Sequence, residues 1–306
     1  MFAVPRHLQL AQQCAQWAHV RLFGGLAGAK ACLDASEPDE KLRLTRETWR
    51  AFERGELQAD ASSPAPEPIG PPGRPERPRL VNARQLPQRG LGSAEGRIAL
   101  VHAVAHIEFN AINLAWDAVY RFRGKPHDYY RDWASCAHDE ARHFAMLSAR
   151  LGELGHAYGD FDAHDGLWQM AEKTADNDTA RMALVPRVLE ARGLDVTPGM
   201  IERLRQLGDE ATVAILEVIL REEVAHVAAG TRWYLHCCER DGIDPVETFF
   251  GLIREYMGVD LRGPFNRPAR IEAGFTAQEL DRLASLAAGA HEHREPVDRS
   301  ATRNQA

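Results

Sequence analysis

Residues 97–122 read RIALVHAVAHIEFNAINLAWDAVYRF. Val101, Ala105, Ile112, Ala115 and Val119 recur at helical spacing and form an apolar stripe, and Glu108 falls inside that stripe. The pattern repeats three times downstream. Residues 132–151, DWASCAHDEARHFAMLSARL, carry Glu140 and His143 within the stripe Trp133, Ala137, Phe144, Leu147, Leu151. Residues 181–193, RMALVPRVLEARG, carry Glu190. Residues 213–235, VAILEVILREEVAHVAAGTRWYL, carry Glu223 and His226 beside Leu216, Ile219, Val227 and Gly230. The order along the chain is Glu, Glu-x-x-His, Glu, Glu-x-x-His.

Residues three and four apart share a helix face, so His143 and His226 point the same way as the glutamates before them. A buried ionised carboxylate is costly unless it is paired or coordinates a metal. A ferritin-like four-helix bundle supplies this ligand set to two metal ions: one Glu from each of two helices and a Glu-x-x-His from each of the others. One Glu-x-x-His alone says little, because composition gives roughly one by chance in a chain of this size. Glu153-Leu154-Gly155-His156 is such a copy; it stands among glycines at a helix end and reads as surface. The expected fold is therefore all-α, a ferritin-like bundle with helical additions at both ends.

Punctuation supports the four-helix reading. Ser93 and Glu95 start the first helix and Gly124-Lys125-Pro126 ends it. The turn is short, so Glu108 and Glu140 lie about 15 and about 14 residues from it, at similar depth for a rise of 1.5 Å per residue. Residues 152–175 form the long connection that such bundles need. The third helix is expected to kink or restart at Pro186 and to end at Gly193, with a separate short helix over 198–206. Asp244-Pro245 caps a later helix, and a last one begins at Thr276.

The chain divides by composition into a helical unit at 1–59, a Pro/Arg-rich linker at 60–92, the bundle at 93–241, a helical extension at 242–288 and a polar, disordered tail at 289–306. In the first of these, residues 11–31 are expected to be helical, and Ser36 is expected to cap a helix that begins at Pro38. The linker holds SSPAPEPIGPPGRPERPRL, whose seven prolines exclude a helix or a central strand. Arg74, Arg77, Arg79, Arg84 and Arg89 make its second half basic, suited either to an acidic bundle surface or to phosphates.

At 306 residues and 44% hydrophobic content there is ample core, and a net charge of -7 gives no support for a general nucleic-acid surface. Cys14, Cys32, Cys136, Cys237 and Cys238 are an odd number without metal-type spacing and read as free thiols. No apolar run is read as membrane-spanning and the start lacks a signal h-region, so the expectation is a soluble cytoplasmic protein without a membrane partner.

GRPERPRLVNARQLPQRGLGS, VHAVAHIEFNAINLAWDAVYRF, DEARHF, YGDFDAHDGLW, RMALVPRVLEARGLDVTPGM and GPFNRPARIEAGF together resemble the bacterial "domain of unknown function 455" family (DUF455) of the ferritin-like superfamily, over residues 10–285. More distant relatives include di-iron tRNA hydroxylases, ribonucleotide reductase small subunits, rubrerythrins and bacterioferritins. The resemblance implies ligand roles for Glu108, Glu140, His143, Glu190, Glu223 and His226. Glu223 is preferred over Glu222 because only it has a histidine three residues on. The implied cofactor is a pair of iron ions, with manganese or mixed manganese–iron as alternatives that suit the same donors. His106, Asp139, Asp117 and Tyr120 are candidates for groups that orient these ligands, and His164-Asp165 reads as a capped turn. The expected function is an oxygen-activating oxidase or hydroxylase taking O2 and a small molecule. Iron handling, peroxide removal, a structural metal and tRNA hydroxylation are the alternatives.

Overall fold

The computed structural model describes residues 25–56, 65–258, 261 and 263–292, with backbone alone at 25 and 289–292. Among them there is no β-strand, only an isolated bridge between Leu80 and Ala163. The fold is all-α. Contacts divide the chain into two units, Met1–Asp178 with Ile201–Glu222, and Thr179–Met200 with Glu223–Ala306. The division falls within helices, not at the Pro-rich linker.

In the first unit, α1 (Gly25–Asp34) and α2 (Pro38–Glu53) pack with α3 (Ala94–Arg121) and α4 (His127–Glu153), and α3 lies along α4. The part of the expected 11–31 helix before residue 25 lies outside the described residues. The cap of α2 differs from expectation: Glu37, not Ser36, holds that position with extended backbone, and no side chain caps. Pro38 explains this, since it has no N–H to satisfy and its fixed φ starts the helix unaided. Ser93 caps α3 as expected, its Oγ accepting from Gly96 N at 3.0 Å. Gly124 takes φ +68 in the turn to α4. The predicted stripes of both helices are buried, from Val101 to Val119 and from Trp133 to Leu151.

α3 is also long and apolar enough to cross a membrane, contrary to expectation, but 67% of its apolar window is buried inside the protein. It buries His102, His106, Glu108, Asn110, Asn113 and Asp117 as well, which marks it as a protein-core helix. The connection after α4 carries a short α5 (Gly166–Lys173). The linker is extended around a 3-10 turn at Ala83–Gln85. Three of its five arginines meet acids of the same unit: Arg74 with Asp165 at 3.1 Å, Arg79 with Asp162, Arg89 with Glu95 at 3.0 Å.

The third predicted helix differs most. α6 (Asp178–Leu184) runs into a π-helical turn (Val185–Glu190) and then α7 (Ala191–Gln206), so neither Gly193 nor Pro198 ends it. Gly193 keeps a helical φ, and the wider turn absorbs the hydrogen bond that Pro186 cannot make. α8 (Glu210–Asp241) follows. The second unit is completed by α9 (Pro245–Met257), α10 (Arg267–Glu272) and α11 (Ala277–Glu292). Asp244 caps α9, accepting from Glu247 N at 2.8 Å. α11 continues past residue 289, where the polar tail was expected to begin, and the rest of that tail lies outside the described residues. The core of this unit gathers Tyr234, Phe249 and Phe275.

Candidate metal centre

Glu108 of α3 and Glu140 and His143 of α4 converge in the first unit. The two carboxylates are 3% exposed and the imidazole 0%. Each residue offers a ligand atom, and those atoms lie within 4.8 Å of one another. His143 Nδ1 stands 3.1 Å from Glu108 Oε2 and 3.4 Å from Glu140 Oε2. Its Nε2 stands 2.8 Å from Glu222 Oε2, on the part of α8 that belongs to this unit. The ring is thus held at both nitrogens.

The electrostatics follow from burial. Loss of solvent, and then the charge of Glu140, raise the Glu108 carboxyl well above its usual range. Burial works to lower the His143 pKa, but its hydrogen bonds to Glu108 and Glu140 and their charges together outweigh this and carry it up to about 11. Burial would raise Glu222, yet hydrogen bonds from His143 and Arg142 bring it below the usual carboxylate range. Positive charge is what this cluster favours.

Carboxylate and imidazole are donors that metal ions take. A metal-bound histidine commonly donates its other ring N–H to a carboxylate, which fixes the ring. Here Nδ1 faces the two glutamates, and Glu222 sits at the opposite nitrogen. Arg142 steadies Glu222 at 3.2 Å and is itself held by Asp139 at 2.6 Å. This buried Glu/His cluster could hold a metal ion.

In the second unit, Glu223 and His226 are both buried one helical turn apart, with His226 Nδ1 3.7 Å from Glu223 Oε1. Glu190 is half-buried in the π-helical turn. Of the four orienting candidates, Asp139 connects to His143 through Arg142 and Glu222. Asp117 pairs with Arg121, and Tyr120 accepts from Glu67 N at 3.1 Å. His106 meets the Tyr158 hydroxyl at 2.9 Å and the His164 carbonyl at 3.1 Å. His164 Nδ1 accepts from Gly166 N, the capped turn expected there. Glu153 and His156 are surface residues, with Glu153 bound to Arg150.

Sequence reasoning passed over Glu222 as the lesser of two adjacent glutamates. Tyr158 was also missed; its ring lies tilted to Phe109 and edge-on to Phe144, 5.4 and 5.0 Å between ring centroids. The doublet Glu222-Glu223 was the available signal for the first. No spacing rule marks the second.

The family "Protein of unknown function (DUF455)" matches residues 34–281. A protein of Haemophilus influenzae, itself uncharacterised, is 42% identical over 263 residues, which is 82% of this chain and 91% of the relative. No solved structure matches.

Proposed function

The chain belongs to the DUF455 family, and we propose that it is a ferritin-like di-metal carboxylate protein that oxidises a small molecule with O2. The observation that carries this reading is the buried cluster of Glu108, Glu140 and His143, with Glu222 behind the ring. We assign Glu190, Glu223 and His226 as the remaining ligands on the repeated Glu, Glu-x-x-His order. Two iron ions, or manganese in either position, suit those donors. Bound iron would supply oxygen activation.

The protein's own groups have separate roles. Glu108 and Glu140 bring negative charge to a water-poor interior, where each interaction with a cation is strengthened. Glu222 holds the His143 ring so that Nδ1 faces the glutamates, and Arg142 with Asp139 hold Glu222. Phe109 and Phe144, the residues that follow Glu108 and His143 in the chain, are buried with ring centroids 5.3 Å apart and add apolar surface to this core.

A small substrate is favoured over tRNA. Arg74, Arg79 and Arg89 each already bind an acid of the same unit, which leaves less charge for phosphates. The purified protein should hold about two transition-metal ions per chain. Glu140→Ala should lose metal, while the surface change Glu153→Ala should keep it. Elemental analysis that finds no metal after anaerobic iron(II) loading, or equal metal in both variants, refutes the assignment. Oxygen uptake by the iron(II)-loaded protein tests the chemistry separately.

A further inference from the structure

Two sequence stretches are left over by the metal reading: residues 181–200, of which it uses only Glu190, and GPFNRPARIEAGF, which it does not use. Both line one cavity of about 210 Å3 in the second unit. Arg187, Arg192 and Arg270 stand on its wall, and Asp195 is the acid among the lining residues. Val188, Leu261 and Leu283 supply apolar surface.

One donor on this wall is unmet. Asp195 takes Arg270 through two hydrogen bonds, 2.9 and 2.7 Å, and stands 3.7 Å from Arg192. Glu279 takes Arg187 Nη2 at 2.7 Å. Arg192 reaches the carbonyls of Pro264 and Gly263 at 3.1 and 3.3 Å. Arg187 is 1% exposed, with its guanidinium carbon 4.3 to 4.8 Å from the ring centroids of Phe249, Phe275 and Tyr234. Its Nη1 is buried with no hydrogen-bond partner among the described residues. A buried charged donor left in that state is unfavourable, and an acceptor that meets it gains accordingly.

We propose that this cavity binds a small monocarboxylate with a short apolar body, its carboxylate accepting from Arg187 Nη1 and facing Arg192. One unmet donor beside apolar surface suits a monoanion better than a phosphate dianion, whose further acceptors would be desolvated without partners. The planar guanidinium fork suits a carboxylate. At about 30 Å3 per water-sized atom, the volume holds roughly seven non-hydrogen atoms, the size of pentanoate. This inference does not depend on the metal assignment, and its test reads no metal.

Isothermal titration of the full-length protein with pentanoate, its neutral analogue pentanamide and inorganic phosphate decides it. Pentanoate should bind about tenfold or more tightly than pentanamide and than phosphate. Arg187 is buried against Glu279, so its replacement risks unfolding. The variants are instead Leu283→Phe, which fills the cavity, and the partly exposed Arg192→Gln. They should weaken pentanoate by about tenfold and about fivefold with circular dichroism unchanged. Absence of pentanoate binding up to about 10 mM, equal binding of pentanamide, tighter binding of phosphate, or undiminished affinity in a folded Leu283→Phe protein each overturns the proposal.

Discussion

Replacing Lys41 with methionine tests the electrostatics of the first unit where they are most exposed to measurement. Lys41 is fully buried. Its Nζ donates to the Cys32 carbonyl at 2.6 Å, the Leu33 carbonyl at 3.3 Å and Asn113 Oδ1 at 2.7 Å, tying α1, α2 and α3 together. Burial lowers its pKa from 10.5 to about 8. The unfolded chain keeps the proton up to the ordinary value, while the folded chain releases it near the lower one. Between the two the unfolded state binds more protons, so the lysine's contribution to stability rises with pH. From about pH 7.5 to about pH 9.5 the gain is about 2 kcal/mol. Cys32 acts in the opposite sense: burial pushes its thiol from 9.0 to about 11, so its contribution declines as pH climbs through that window. Comparison with Lys41→Met removes most of the Cys32 effect, because burial is its largest cause and the Lys41 charge a lesser one. Urea unfolding of both proteins across this range should show the wild type gaining on the variant by that amount. Parallel stability curves, or a wild type that loses ground with rising pH, would refute the buried-ammonium account.

Other substitutions carry predictions of their own. A Cβ at Gly230 would lie 2.3 Å from Pro186 Cβ, so Gly230→Ala should destabilise by about 1–3 kcal/mol in denaturant unfolding. Gly193→Ala, helical and with nothing within 4 Å of the added carbon, should stabilise by about 1 kcal/mol. Cys32, Cys136, Cys237 and Cys238 are buried free thiols and should resist alkylation in the folded protein, becoming labelled only in denaturant, as peptide mass mapping would report.

Much of the fold was legible because α3 and α4 each bury one continuous stripe. A residue of the wrong polarity inside such a stripe is conspicuous, and Glu108, Glu140 and His143 stood out for that reason. Their convergence followed from a short turn and equal distances to it. What could not be read was a separate role for Glu222 beside Glu223. Adjacent helix positions point about 100° apart, and a histidine at i+3 selects Glu223 as a ligand candidate without saying that its neighbour meets His143 Nε2. Ser36 misled for a related reason: a good capping residue is idle when proline already sets the first turn.

The π-helical turn marks the deeper limit. Gly and Pro are read as punctuation, yet Pro186, Gly193 and Pro198 all lie within a segment that remains helical from Asp178 to Gln206. One extra residue in a turn leaves no compositional trace. What makes room for it is remote in sequence. Pro186 seats against Gly230 of α8, where any side chain would collide, so the proline is tolerated because another helix supplies a glycine. The next residue, Arg187, is then buried among Tyr234, Phe249 and Phe275, with Thr231 Oγ1 3.3 Å from its Nε and Glu279 at its Nη2. A guanidinium would not stay in such surroundings without partners fixed by that same packing. The irregular turn and the buried arginine are therefore one structural feature. It explains why 181–200 and GPFNRPARIEAGF, so far apart in the chain, have to be read together.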